Sequence, residues 1–282
     1  MSVNVSPFEV APPATLPASI RAAGALRLVV AHTDAGTAAL DIAESGPLRV
    51  RFPRIREDRL EAILINTAGG IVGGDRLEFS IETGEHASLT ITSQAAEKIY
   101  RSSGLTSRIS VSLKTERGSE LFWLPQETIL FDRARVEREI EADVASEAKL
   151  AICEAIVFGR DAMGEKVERG RLRDRWRVRR DGKLIFADAL ILDGDIKSVL
   201  SRTATMNGWI AMATLVYVAA DAGEKLDAVR DALTGEGIEA GASAFDGMLV
   251  ARILAQDSIA LRGGVLSALE AAGTPPPRAY SL

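Results

Sequence analysis

Imidazole and thiolate groups hold transition metals best, and this 282-residue chain offers only His32, His86 and Cys153. They lie far apart, and no CxxC, HExxH or His-rich tract occurs, which excludes the common zinc sites and metalloprotease chemistry. A single cysteine also rules out an intrachain disulfide and suits a reducing compartment. The most specific segment runs Leu64-Ile65-Asn66-Thr67-Ala68-Gly69-Gly70-Ile71-Val72-Gly73-Gly74-Asp75-Arg76-Leu77. Gly69, Gly70, Gly73 and Gly74 allow turn conformations and close backbone approach. It is not a phosphate loop, because GxxxxGK[ST] is absent from the chain, and a period-two strand rather than a helix follows it. On its residues alone it reads equally as a tight strand connection or as a functional loop.

Two rows of charge stand further along. Glu137, Glu139, Glu141 and Asp143 alternate with Arg138, Ile140, Ala142 and Val144, and Arg171, Arg173, Arg175, Arg177 and Arg179 alternate with Leu172, Asp174, Trp176 and Val178. At strand period each row occupies one sheet face. Cross-strand ion pairing is one reading, worth about 0–1 kcal/mol per exposed pair. A docking face for an acidic partner is the other, since arginine offers bidentate geometry. Nucleic acid fits poorly: no aromatics interleave the arginines, and 34 Lys and Arg against 39 Asp and Glu leave a formal charge of −5.

The elements that carry these residues are mostly strands. Period-two alternation marks 77–82, 88–92, 109–114 and 138–144, with further strands at 120–124 and 128–131. The run 150–158 is almost continuously apolar, so it is expected to be buried on both faces. Helical spacing appears only late, at 224–233 and 258–271, with a strand between them at 248–254. Gly263-Gly264 weakens the second helix by about 1 kcal/mol per glycine relative to alanine. The expected fold is mainly β, with stacked sheets and two α-helices toward the C-terminus. Residues 1–24, with Pro7, Pro12, Pro13 and Pro17, read as a flexible Pro/Ala-rich arm before a single domain over 25–282. No repeat of solenoid length, spanning segment or secretory signal is visible. The chain is therefore expected in the cytoplasm, without membrane association.

The glycine segment and its neighbours resemble a known family. Gly69-Gly70-Ile71-Val72-Gly73-Gly74-Asp75-Arg76-Leu77, then Thr92-Ser93-Gln94-Ala95-Ala96-Glu97-Lys98-Ile99-Tyr100-Arg101-Ser102, are similar to the urease accessory protein family UreD, called UreH in some organisms. Trp123-Leu124-Pro125-Gln126-Glu127, Glu154 ahead of Gly159-Arg160, Gly46-Pro47-Leu48 and Pro277-Arg278 extend the likeness over about residues 25–282. Asn66-Thr67-Ala68 departs from the family's frequent proline pair, and Ala279-Tyr280 from a common terminal Trp.

The resemblance implies a β-helix-like stack and a non-catalytic maturation factor. It implies assembly with a UreF-like helical protein, a UreG-like GTPase and apo-urease, and delivery of nickel to the urease metallocentre. No tightly bound cofactor is expected, only transient Ni2+. Because an ion in transit must leave as easily as it enters, a weak path fits better than a strong site. The motif acids Asp75, Asp132 and Glu154 could line it, with Thr92 and Ser93 as neutral oxygens. Glu154 stands in an apolar run, where an unpaired carboxylate is costly, so its plain alternative is pairing with Arg101 or Arg160. Asp75 could instead close its own glycine turn. Arg173, Arg175, Arg177 and Arg179 are the candidate partner-binding row. The rival class is a carboxylate-dependent β-fold hydrolase, such as a glycosidase using two of these acids, although aromatics for sugar stacking make up only 5% of residues.

Overall fold

The computed structural model describes residues 21–53, 59–160 and 164–281. Most of the proposed arm lies outside these residues, while Ala23 and Gly24, assigned to it, open the first strand.

Two kinds of strand sort the chain into two stacked sheets. Strands with alternating burial form a seven-stranded sheet: β1 (Ala23–Thr33), β2 (Gly36–Glu44), β5 (Arg76–Thr83), β8 (Ser107–Thr115), β11 (Arg135–Val144), β13 (Arg169–Arg180) and β14 (Lys183–Asp195), in spatial order β14-β13-β11-β8-β5-β1-β2. The ten-stranded sheet holds β3 (Leu48–Arg51), β4 (Leu60–Asn66), β6 (Ser88–Ser93), β9 (Glu120–Trp123), β12 (Lys149–Phe158), β15 (Ala211–Val218), β16 (Ile238–Phe245) and β17 (Met248–Ala255), with short β7 (Glu97–Ile99) and β10 (Thr128–Leu130). Through the middle of the chain, strands enter the two sheets in turn and each pairs in parallel with its counterpart one coil earlier. Arg76, Arg108, Glu137 and Arg173 stand side by side in that register. The fold is thus a β-solenoid-like stack of coils. Its coils have unequal lengths, which is why no sequence repeat announces them.

Three layers follow from the burial patterns. The inward residues of the first sheet, such as Leu26, Leu28, Ile81, Leu113 and Ile140, meet Leu89, Ile91, Leu121 and Ile152 of the second. The opposite face of the second sheet, including Phe122, Cys153, Leu215 and Ile253, is covered by the helices α2 (Leu226–Ala232) and α3 (Ser258–Ala271). Strand β12 therefore lies between two apolar layers, and all but its first residue are buried. Both late helices lie where their spacing predicted them. A third, α1 (Ile196–Leu200), was not expected; one turn capped by Asp195 is too short to show a period. Among the described residues no helix is long and apolar enough to cross a membrane.

The glycine segment connects β4 to β5 and lies against β7. Ile71 donates to the Lys98 carbonyl at 2.8 Å, and Tyr100 donates back to Ile71 at 2.8 Å. Gly70 has φ +147°, and a Cβ there would run into the Tyr100 ring. At Gly69, φ is +73° but the space around a Cβ is open. We therefore expect Gly70→Ala to cost about 2 kcal/mol or more in urea denaturation, and Gly69→Asn to stay within about 1 kcal/mol.

Candidate functional site

Three inward strand positions carry charge where apolar residues are the rule. Arg138 follows Val136 and precedes Ile140 on β11, Asp174 lies between Leu172 and Trp176 on β13, and Glu154 lies between Ile152 and Ile156 on β12. Register sets Arg138 beside Asp174 in one sheet, and Glu154 reaches the pair from the other. Arg138 Nε donates to Asp174 Oδ1 at 3.0 Å, a second guanidinium bond reaches Asp174 Oδ2, and Nη1 donates to Glu154 Oε2. Trp123 Nε1 donates to Glu154 at 2.8 Å and Trp176 Nε1 to Asp174 at 3.0 Å. These charged side chains are only 4–7% exposed.

Two carboxyl groups thus share one guanidinium. Burial raises the Glu154 carboxyl's pKa; Arg138 pulls against it and the Asp174 charge adds to it, so it stays above its ordinary value. Burial opposes the Arg138 charge, but the two carboxylates outweigh it and hold the guanidinium more firmly protonated. Cys153, on the opposite face of β12, is pushed up by burial and then by Glu154. It remains a neutral thiol rather than a ready metal ligand.

Glu154, Arg138 and Trp123 form the floor of a cavity of about 210 Å³ between the sheets. Its wall is largely apolar, with Leu64, Ile71, Phe79 and Val111. Exposed Gly69, Gln94, Ala95 and Lys98 mark the mouth, so the glycine loop forms one lip. Glu154 and Asp174 also border a second, much smaller cavity toward Asp188 and Arg252. The charged cluster therefore separates two spaces inside the stack.

The acids and hydroxyls singled out from sequence do not form one group. Glu154 is paired, but with Arg138 rather than Arg101 or Arg160; Arg160 instead holds Glu165 at 2.6 Å. Asp75 closes its glycine turn, accepting from Val72 N and Ala22 N, each at 2.9 Å. Asp132 accepts from Glu168 N at 2.9 Å and Arg169 N at 3.0 Å, which secures the entry to β13. Ser93 lines the cavity. Thr92, its neighbour on the strand, faces the other way; it is buried and its hydroxyl has no hydrogen-bond partner. Among the described residues no three His, Cys, Asp or Glu side chains gather as a metal site.

The charged rows meet as a ladder on the solvent face of the first sheet. Arg171 reaches Glu137 at 3.0 Å, and Arg175 and Arg177 reach Glu139 at 3.1 and 3.3 Å. Among the described residues Arg173 and Arg179 make no ion pair, although their register neighbours are Glu137 and Asp143.

A family model described as "UreD urease accessory protein" matches residues 22–278. The chain belongs to the UreD family. It is 47% identical over 261 residues to the urease accessory protein UreD of Rhodopseudomonas palustris (strain HaA2), covering 92% of this chain and 93% of that one. It is 44% identical to the UreD of Methylobacterium sp. (strain 4-46), covering 95% and 98%. The UreD likeness read from the motifs therefore holds over the whole described fold.

Sequence reasoning missed Arg138, Asp174 and Glu97. The first two were legible as charges interrupting inward apolar rows. Glu97 lines the cavity near its mouth, and its carboxylate accepts from the Asn66 side chain through Nδ2, at 3.1 and 3.3 Å. Burial raises its pKa above the ordinary 4.5, against the weaker pull of Asn66 and Lys98.

Two outcomes follow. Arg138→Met strands two buried carboxylates and should cost about 3–5 kcal/mol in urea denaturation, against at most about 1 kcal/mol for Arg173→Ala. Because the folded-state pKa of Glu97 is raised, wild type carries no penalty below about pH 4.5 and a growing one as pH rises through the folded value. Glu97→Gln should therefore be more stable than wild type at pH 7.5, with the difference vanishing near pH 4.

Proposed function

We propose that this UreD-family chain serves urease maturation as a non-catalytic scaffold and nickel conduit. It would work in a complex with a UreF-like helical protein, a UreG-like GTPase and apo-urease. Family membership supports the role in urease maturation. The cavity from the glycine loop down to Glu154 is the observation that supports passage of the ion.

Nickel is cargo here, so its ligands must be weak and spaced. A carboxylate on the cavity floor, already sharing its guanidinium with Asp174, attracts a divalent cation without enclosing it. Arg138 limits how tightly an ion can bind by competing for the same oxygens. Phosphate chemistry falls to the GTPase, since this chain has no phosphate loop. The unpaired Arg173 and Arg179, with Arg175 and Arg177 beside them, supply a surface for an acidic partner. The setting would be the cytoplasm, with which the free thiol of Cys153 agrees.

A glycosidase-like reading finds little support in the geometry. It needs two carboxylates facing one substrate, whereas Asp75 and Asp132 are bound by backbone amides and Glu154 is tied to Arg138.

The test is urease activity and bound nickel in cells carrying the cognate urease and its other accessory genes. Omitting this chain should abolish both. Glu154→Gln should lower both by roughly tenfold or more while the chain still copurifies with its partners. Normal maturation without the chain would refute the role, and normal maturation with Glu154→Gln would reduce the chain to a scaffold.

A further inference from the structure

Charge on the solvent face of the first sheet is not spread evenly. Strands β5, β8, β11 and β13 run side by side in parallel, so their outward residues form rungs across the sheet. One rung holds Arg76, Arg108, Glu137 and Arg173, three cations against one anion. The next holds Glu78, Ser110, Glu139 and Arg175, and the one beyond it Ser80, Ser112, Glu141 and Arg177. Positive charge therefore collects at one end of this face, in a chain whose formal charge is −5.

The arginine rung borders a surface cavity of about 430 Å³, within the roughly 300–1,000 Å³ of small-molecule sites. Two of the acids lining it are already held. Glu137 pairs with Arg171 at 3.0 Å and lies 3.7 Å from Arg108, and Glu139 is held by Arg175 at 3.1 Å and Arg177 at 3.3 Å. Arg76 and Arg173 line the same cavity and make no ion pair among the described residues, and the Arg173 Nε is buried without a hydrogen-bond partner. Their strands stand three spacings apart, about 14 Å at the backbone.

Guanidinium forks bind oxyanions in bidentate fashion. Two forks so far apart suit a ligand with more than one anionic group better than a single small ion. Glu78 also lines the cavity and repels an anion, so a multiply charged ligand gains most from the site.

We propose that this cavity binds a small polyanion, an oligophosphate or a polycarboxylate, through Arg76 and Arg173, with Arg108 and the Ser110 hydroxyl between them. The site lies on the solvent side of the first sheet rather than between the sheets, and it does not depend on the maturation reading.

The test is isothermal titration of the full chain with tripolyphosphate and, separately, with citrate, at pH 7.5 and constant ionic strength. Saturable binding of at least one probe is expected, and which one binds tells phosphate from carboxylate chemistry. Arg76→Gln and Arg173→Gln should each weaken that binding roughly fivefold or more. Glu78→Gln, which removes the repelling charge, should tighten it. Arg117→Gln loses the same charge outside the cavity and should bind as wild type. No saturable binding of either probe would overturn the proposal. So would an equal loss in Arg117→Gln, which would reduce the effect to diffuse charge. Loss of a copurifying protein partner on Arg76→Gln, with neither probe bound by wild type, would reassign the rung to a protein contact and overturn it too.

Discussion

The two sheets of this stack are joined through a largely apolar interior by a buried charged cluster. Arg138 and Asp174 belong to the first sheet and Glu154 to the second, so the guanidinium bridges the layer that the coils enclose. Such a bridge is poor value for stability, because desolvating three charges offsets much of their attraction. Its geometry is well supported nonetheless: both indole N–H groups nearby point at its carboxylates. A costly polar cluster retained in a core, at the end of a cavity, is the arrangement expected of a functional group rather than a structural one.

The layering explains where charge could be placed. The second sheet is covered on one face by the first sheet and on the other by α2 and α3, so its central strand β12 is apolar along most of its length. The first sheet has only one covered face, and its outward positions carry the Arg/Glu ladder. Ion pairing along that ladder accounts for most of its arginines. Among the described residues Arg173 and Arg179 are left without an ion pair.

Inside the stack the acids divide by what holds them. Asp75 and Asp132 are bound by backbone amides and serve the turns that carry them. Glu154 sits on the cavity floor under Arg138, and Glu97 sits in the wall nearer the mouth with the Asn66 carboxamide beside it. Asn66, which makes that contact, also lines the cavity wall.

Alternation at period two was enough to read the main strands, the doubly buried run at β12 and the two late helices, because each residue's side-chain direction follows locally from backbone geometry. Colinear motifs were enough to read the family. The coil stacking was legible only through that resemblance and not from periodicity, since its turns differ in length and parallel pairing joins residues about 30 positions apart. The partner of Glu154 was not legible either. Arg138 and Glu154 sit in different sheets, and only the closing of the stack brings them together. Thr92 and Ser93 show the same limit at the smallest scale: adjacent in the chain, they occupy opposite faces, and which face held the cavity was decided by the fold.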